Sequence, residues 1–229
     1  ADLIHDMNTN TNISMNLSLS GTKIFQTGHE TIEFALDPYE GSAGIYGYGD
    51  HDDWNVFDRM RTRAINSMVE YEYQNMFQKT YVDVVRKSRD GHLQFQDALA
   101  TVTPLQSTFT DNYLSRSFQM AAYTMAAHEA LGMKRQIFFI DYGGWDHHDE
   151  VLNSQGAMLA ELDTALGEFS DALAELGMGS QVTTFTLSEF GRTLTSNGNG
   201  TDHAWGGNVM AMGDKVNGKN IYGEYPTLA

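Results

Sequence analysis

One segment constrains the fold more than any other: Gln136-Ile-Phe-Phe-Ile140, a continuous apolar run set between two stretches of helical periodicity. A short run without alternation predicts a central strand covered on both faces, because alternation is what a half-exposed strand would show. Before it, Leu114, Phe118, Ala121, Ala122, Met125 and Leu131 mark a helix that Gly132 ends. After it, beyond the turn Tyr142-Gly143-Gly144, a longer helix carries Val151, Leu152, Met158, Leu159, Leu162, Leu166, Phe169, Leu173 and Leu176 on one stripe. Glu161, Glu168, Asp171 and Glu175 lie off that stripe, which is expected to be buried while the acidic face is solvated. Val182 to Leu187 reads as the next strand and Val209 to Met212 as a weaker one. Helix–strand–helix–strand order predicts an α/β fold with a mostly parallel sheet and helices on both faces, and in such sheets chemistry gathers at the carboxyl ends of strands.

The N-terminal third is less regular. Ile13, Met15, Leu17 and Leu19 alternate with Ser14, Asn16, Ser18 and Ser20, the pattern of a half-buried strand that Gly21 closes. Thr31 to Leu36 predicts a second short strand, and Pro38 with Gly41, Gly44, Gly47 and Gly49 predicts a loop over 37–53. Val56, Phe57, Met60, Ala64, Ile65, Met68, Val69, Met76, Phe77, Val84 and Val85 then keep helical spacing and predict one long helix, stopped at Asp90-Gly91.

Composition excludes several function classes. The net charge of −16 leaves no basic stripe to neutralise phosphates, so neither nucleic acid nor an anionic membrane is an expected partner. The chain has no cysteine, which removes thiol chemistry, disulfides and thiolate zinc sites. It contains no run of about 18 apolar residues, so no transmembrane segment is expected. The chain opens at Ala1 in an already patterned region, with no signal peptide, and is expected to be a processed product or a fragment. Its 229 residues suffice for a single domain over 1–229.

Two clusters, Trp145-Asp146-His147-His148 and Thr201-Asp202-His203, each follow a predicted strand and its loop. Asp and His gathered at strand ends in a cysteine-free chain suggest a metal, and the mixture suits Zn²⁺, Mn²⁺ or Fe²⁺ better than an ion that takes only oxygen. Singly, such residues are usually surface or hydrogen-bonded groups. Glu189 is placed to act as a general base or to orient a ligand, and Arg192 to neutralise an anionic substrate through its planar fork; the plain alternative is a salt bridge between them. Gly49-Asp-His-Asp-Asp53 offers Ca²⁺ ligands or a solvated loop in which Asp52 or Asp53 caps the next helix. Ser188 has no Gly-x-Ser-x-Gly elbow around it. Tyr46, Tyr48, Trp54 and Trp145 form either a sugar platform or the cover of a core edge. The methionines read as core filler.

Arg135-Gln-Ile-Phe-Phe-Ile-Asp-Tyr-Gly-Gly-Trp-Asp-His-His148, Thr184-Phe-Thr-Leu-Ser-Glu-Phe-Gly-Arg-Thr193, Gly200-Thr-Asp-His-Ala-Trp-Gly-Gly-Asn208 and Ile221-Tyr-Gly-Glu-Tyr-Pro226 resemble, in this order, the bacterial domain-of-unknown-function family 1501. The likeness covers roughly residues 107–229 and is looser before them. It implies export, hence a periplasmic or extracellular location, and the alkaline phosphatase/sulfatase-like fold, a three-layer α/β/α sandwich with a two-metal hydrolytic site. The ligand pairs it implies are Asp146 with His148 and Asp202 with His203. The family usually has Thr where this chain has His147. The strand bearing the fold's first metal-binding Asp and its nucleophile is expected to precede this chain, and a further segment to follow it, so the domain is expected to be partial.

The expected function is therefore metal-dependent hydrolysis of phosphate or sulfate esters, with Zn²⁺ or Mn²⁺ bound (Ca²⁺ also fitting) and a small anionic or polysaccharide-derived substrate. The other reading is a metal-stabilised surface or binding protein without catalysis. Upstream residues distinguish the two, and neither reading specifies an oligomeric state.

Overall fold

The computed structural model describes residues 2, 5–8, 12–29, 31–49 and 55–224. Its strands and helices run β1 (Asn16–Ser18), β2 (Phe34–Asp37), β3 (Gly41–Ser42), α1 (Val56–Glu70), α2 (Met76–Ala100), α3 (Tyr113–Ala126), β4 (Ile137–Phe139), α4 (Val151–Glu175), β5 (Thr184–Phe185), β6 (Gly191–Arg192), β7 (His203–Ala204) and β8 (Ala211–Met212). They divide between two compact units, one of residues 1–103 and 123–141, the other of 104–122 and 142–229.

The first unit is organised on a four-stranded sheet of order β3-β2-β1-β4. β1 runs parallel to both β2 and β4, and β3 is antiparallel to β2. The alternation around Leu17 predicts one dry and one wet face, yet both faces are dry: Leu17 and Ser18 are 0% exposed and Asn16 2%. The polar side chains tolerate this because each is satisfied locally. Asn16 Nδ2 donates to Gln26 O at 3.0 Å, Gln26 Nε2 donates to Leu17 O at 3.3 Å, and Ser18 Oγ donates to Gly21 O at 2.5 Å.

β1 thereby takes the centre that the apolar run 136–140 was expected to hold. Among the described residues β4 pairs only with β1, and Ile137 is 38% exposed. An apolar run states that a segment can be buried; strand order is decided by which neighbours reach it.

The predicted single helix over 56–90 is two helices. Tyr71 turns to an extended backbone after α1. Asn75 then starts α2, its side chain accepting from Phe77 N at 3.0 Å and Gln78 N at 3.2 Å. A local cap of this kind outweighs continuous periodicity. Asn55, rather than Asp52 or Asp53, caps α1, accepting from Asp58 N at 3.3 Å; Asp52 and Asp53 lie outside the described residues. Asp90-Gly91 does not stop α2. Gly91 is buried inside it, where an added Cβ would stand 3.2 Å from Asn12 O and from the Phe34 ring. The glycine serves close approach rather than termination.

In the second unit α4 forms where predicted, and Gly177, at φ +67°, follows its end. Its stripe is dry only toward the C-terminal half, where Leu162, Ala165, Phe169, Ala172 and Leu173 are buried and the Phe118 and Phe169 rings stand 4.9 Å apart. Leu152 is 87% exposed. The acidic residues do more than face water. Glu168 accepts from Thr110 N at 2.9 Å and Thr110 Oγ1 at 2.6 Å, and Glu175 accepts from Gln106 N, Ser107 N and Ser107 Oγ at 2.7, 2.8 and 2.6 Å. Segment 106–110 is thus held by two carboxylates one face along α4. The remaining strands form two short antiparallel ladders, β5 with β8 and β6 with β7. No helix among the described residues is long and apolar enough to cross a membrane.

Candidate metal centre

Two loops of the second unit build the site. The first leaves Gly144, at φ +102°, and tightens on itself: His147 N donates to Trp145 O at 2.9 Å, His148 N to Asp146 O at 3.1 Å, and Trp145 Nε1 to Tyr142 O at 2.7 Å. The second is Ser196-Asn-Gly-Asn-Gly200, leading into β7. Thr201 N donates to His147 O at 3.2 Å, Val151 N to Asn199 O at 3.1 Å, and Asn197 Nδ2 to His148 O at 3.1 Å. Gly200 is buried, and a methyl group there would overlap the His148 carbonyl. Only glycine lets the loops meet so closely.

The β6–β7 ladder sets His203 opposite Arg192, and the side chains converge on one carboxylate oxygen. Asp146 Oδ1 lies 2.7 Å from His203 Nε2, 3.1 Å from His148 Nε2 and 2.5 Å from an Arg192 Nη. One donor atom from each of Asp146, His148 and His203 falls within 4.8 Å of the others, so these three form a cluster able to hold a metal ion. The His148 and His203 rings stack at 5.0 Å, and Phe190 backs His203 at 4.4 Å with 3° between ring planes. Each of the three side chains is about half exposed, open to a ligand from solvent.

Asp202 stands behind this group. Its Oδ1 lies 3.3 Å from His148 Nδ1, the nitrogen opposite the one facing Asp146, and accepts from Asn197 Nδ2 at 3.1 Å. Both carboxylates stay anionic well into acid. The hydrogen bond with His203 chiefly holds the Asp146 carboxyl below its ordinary range, aided by Arg192. Asn197, then His148, does the same for Asp202. Anionic carboxylates are what a cation requires.

The four residues singled out by sequence therefore come together, with the first pair following the predicted strand at β4 and the second pair following β6, which the sequence did not mark. Arg192 does not pair with Glu189. Its guanidinium is spent on Asp146 and on the carbonyls of Trp145, His147 and Thr201. Glu189 stands outside this network. Ser188 Oγ donates to Phe190 O at 2.8 Å and closes its own turn. His147 packs edge-on to Trp145 at 6.5 Å and is no member of the ligand group. Of the proposed aromatic platform, Tyr48 Oη donates to Asn66 at 2.8 Å, the Arg61 guanidinium covers Tyr46, and Trp54 lies outside the described residues, as do Asp50 to Asp53 of the acidic loop. Sequence reasoning missed Asn197 and Phe190; the Asn-Gly-Asn-Gly repeat was the available signal for the first.

The chain belongs to the DUF1501 family, a family of proteins of unknown function, whose model matches residues 59–229. No curated protein and no solved structure matches the chain.

Proposed function

We propose that this DUF1501 protein binds one divalent cation, Zn²⁺ or Mn²⁺, through Asp146, His148 Nε2 and His203 Nε2, and hydrolyses phosphate or sulfate esters outside the cytoplasm. The observation that carries the reading is the meeting of two imidazoles and a carboxylate, from one loop and from strand β7, within 4.8 Å. Two nitrogens and one oxygen are a donor set that borderline metals accept, and three protein ligands leave a position for water or substrate. A metal held there would polarise the ester and lower the pKa of bound water. In hydrolysis the water oxygen bonds to phosphorus or sulfur, the bond to the alcohol oxygen breaks, and the water proton ends on that alcohol. Glu189, exposed beside Phe190, is the carboxylate we assign to proton transfer. We assign Asp202 to orient His148 through Nδ1, the part an outer carboxylate plays for a ligating histidine.

A second reading, a metal-stabilised binding protein without turnover, is favoured by Arg192. Its fork is filled by loop carbonyls, so it is not free to grip an anion.

Zinc titration of the thermal transition tests the first step. Zn²⁺ at about 100 times its dissociation constant should stabilise the native state by roughly 2.7 kcal/mol. His203→Ala should abolish the gain, whereas His29→Ala, exposed in the other unit, should keep it. Absence of any zinc-dependent shift would sink the metal reading. Zinc binding with no hydrolysis of p-nitrophenyl phosphate or p-nitrophenyl sulfate would select the binding protein.

A further inference from the structure

The two ligand loops are joined by one side chain. Arg192 Nη1 donates to His147 O at 3.2 Å, Thr201 O at 2.5 Å and Thr201 Oγ1 at 3.3 Å. Its Nη2 donates to Trp145 O at 3.2 Å and Asp146 Oδ1 at 2.5 Å. The guanidinium sits 5.2 Å from the centroid of the Phe190 ring, the same ring that backs His203. Its own backbone is fixed by a bridge to Gly206, just beyond β7, where Arg192 N donates to Gly206 O at 2.6 Å and Gly206 N returns to Arg192 O at 3.0 Å.

From this geometry we infer that Arg192 is the positioning residue of the metal centre: it clamps the Asp146–His148 loop to the His203 loop and presents the Asp146 carboxylate to the cation. The inference rests on the metal reading and assigns Arg192 no contact with substrate. Loops rich in Gly and Asn do not hold three ligands in register by themselves, because their backbone is free to leave. Five donors in a rigid plane address several acceptors at once, and only arginine has them. Lysine keeps the charge beside Asp146 but cannot reach carbonyls on both loops. The clamp places charge as well as shape. One positive charge next to Asp146 opposes the cation, so a role through charge alone would predict that neutral replacements bind metal more tightly, whereas the clamp predicts that they bind it more weakly.

Co²⁺ binding tests the clamp, since its visible d–d bands report both affinity and ligand geometry in the intact protein. Arg192→Lys and Arg192→Gln should each weaken Co²⁺ binding by about 10- to 100-fold, the usual effect of losing an outer group that orients a ligand. They should also change the intensity and position of the bands at saturation, which a residue that only stabilised the fold would leave alone. Wild-type Co²⁺ affinity and an unchanged spectrum in Arg192→Lys would overturn the clamp while leaving the metal reading standing. Failure of the wild type to bind Co²⁺ or Zn²⁺ would overturn both. Should the variants not fold, the wild type still decides: in the Zn²⁺-loaded protein the Arg192 Nη protons should exchange with solvent much more slowly than those of exposed Arg63, and equal exchange would reject the clamp.

Discussion

The β1 region and the metal loops hold their polar groups in opposite ways. Around β1, Asn16 and Ser18 are as buried as Leu17, and their hydrogen bonds repay desolvation inside a dry sheet. Around β6 and β7 the polar groups are half exposed, and ladders only two residues long are held by Arg192, Asn197 and backbone carbonyls. The first region draws its stability from apolar area removed from water. The second draws little from that source, and its organisation depends on directional bonds that water competes for. Fold and site are therefore separable in this chain: a substitution can ruin one and spare the other.

The largest effect expected from breaking this contrast lies in β1. Leu17→Ala should cost about 3 kcal/mol of unfolding free energy in urea, within the range of roughly 2–5 kcal/mol for a fully buried leucine. A cost below about 1 kcal/mol would show that β1 is not the dry centre of its sheet. Next comes Gly200→Ala. The added methyl displaces the His148 backbone, so Zn²⁺ affinity should fall by an order of magnitude or more, while the metal-free protein loses only about 1–3 kcal/mol from local overpacking. Equal zinc affinity in the variant would mean that the loop approach is not needed for the ligands to meet.

The smallest effect concerns acid stability. Burial pushes the Glu168 carboxyl up, but the hydrogen bonds from Thr110 outweigh it and hold the group below its ordinary value of 4.5. The stabilisation is therefore complete above about pH 4.5 and is lost as pH falls through the lower native value. Glu168→Gln should lower stability near neutrality by about 1 kcal/mol, discounted for partial exposure, and flatten the acid limb of the stability curve. An unaltered acid limb would show that segment 106–110 is held by something other than this carboxylate.

The sequence was most legible where one residue type carries the information alone. Asp146, His148, Asp202 and His203 are polar residues bunched at strand ends, and the structure brings them together. α4 was legible because its long stripe has one period. The break at residues 71–75 was hidden, since Met68, Val69, Met76 and Phe77 keep helical spacing across it while a single Asn75 side chain restarts the helix. The order of strands was hidden as well: Asn16 and Ser18 look like a wet face until Gln26 and Gly21 are seen to satisfy them. Arg192 was misjudged for the same reason. Its partners are mostly backbone carbonyls, which every residue has and no sequence pattern marks.

The register of β1 has a consequence in time. Leu17 pairs with Phe138, so the sheet closes only when segments about 120 residues apart meet. Loop closure over that length costs about 4 kcal/mol of chain entropy before any ladder bond is made. α1 and α2 need only neighbours along the chain, so helix signal should precede the arrival of β4 during refolding. On a ribosome, the edge of β1 that pairs with β4 waits for about 120 residues of synthesis after β1 itself emerges, with a row of backbone groups open to any other strand that comes by.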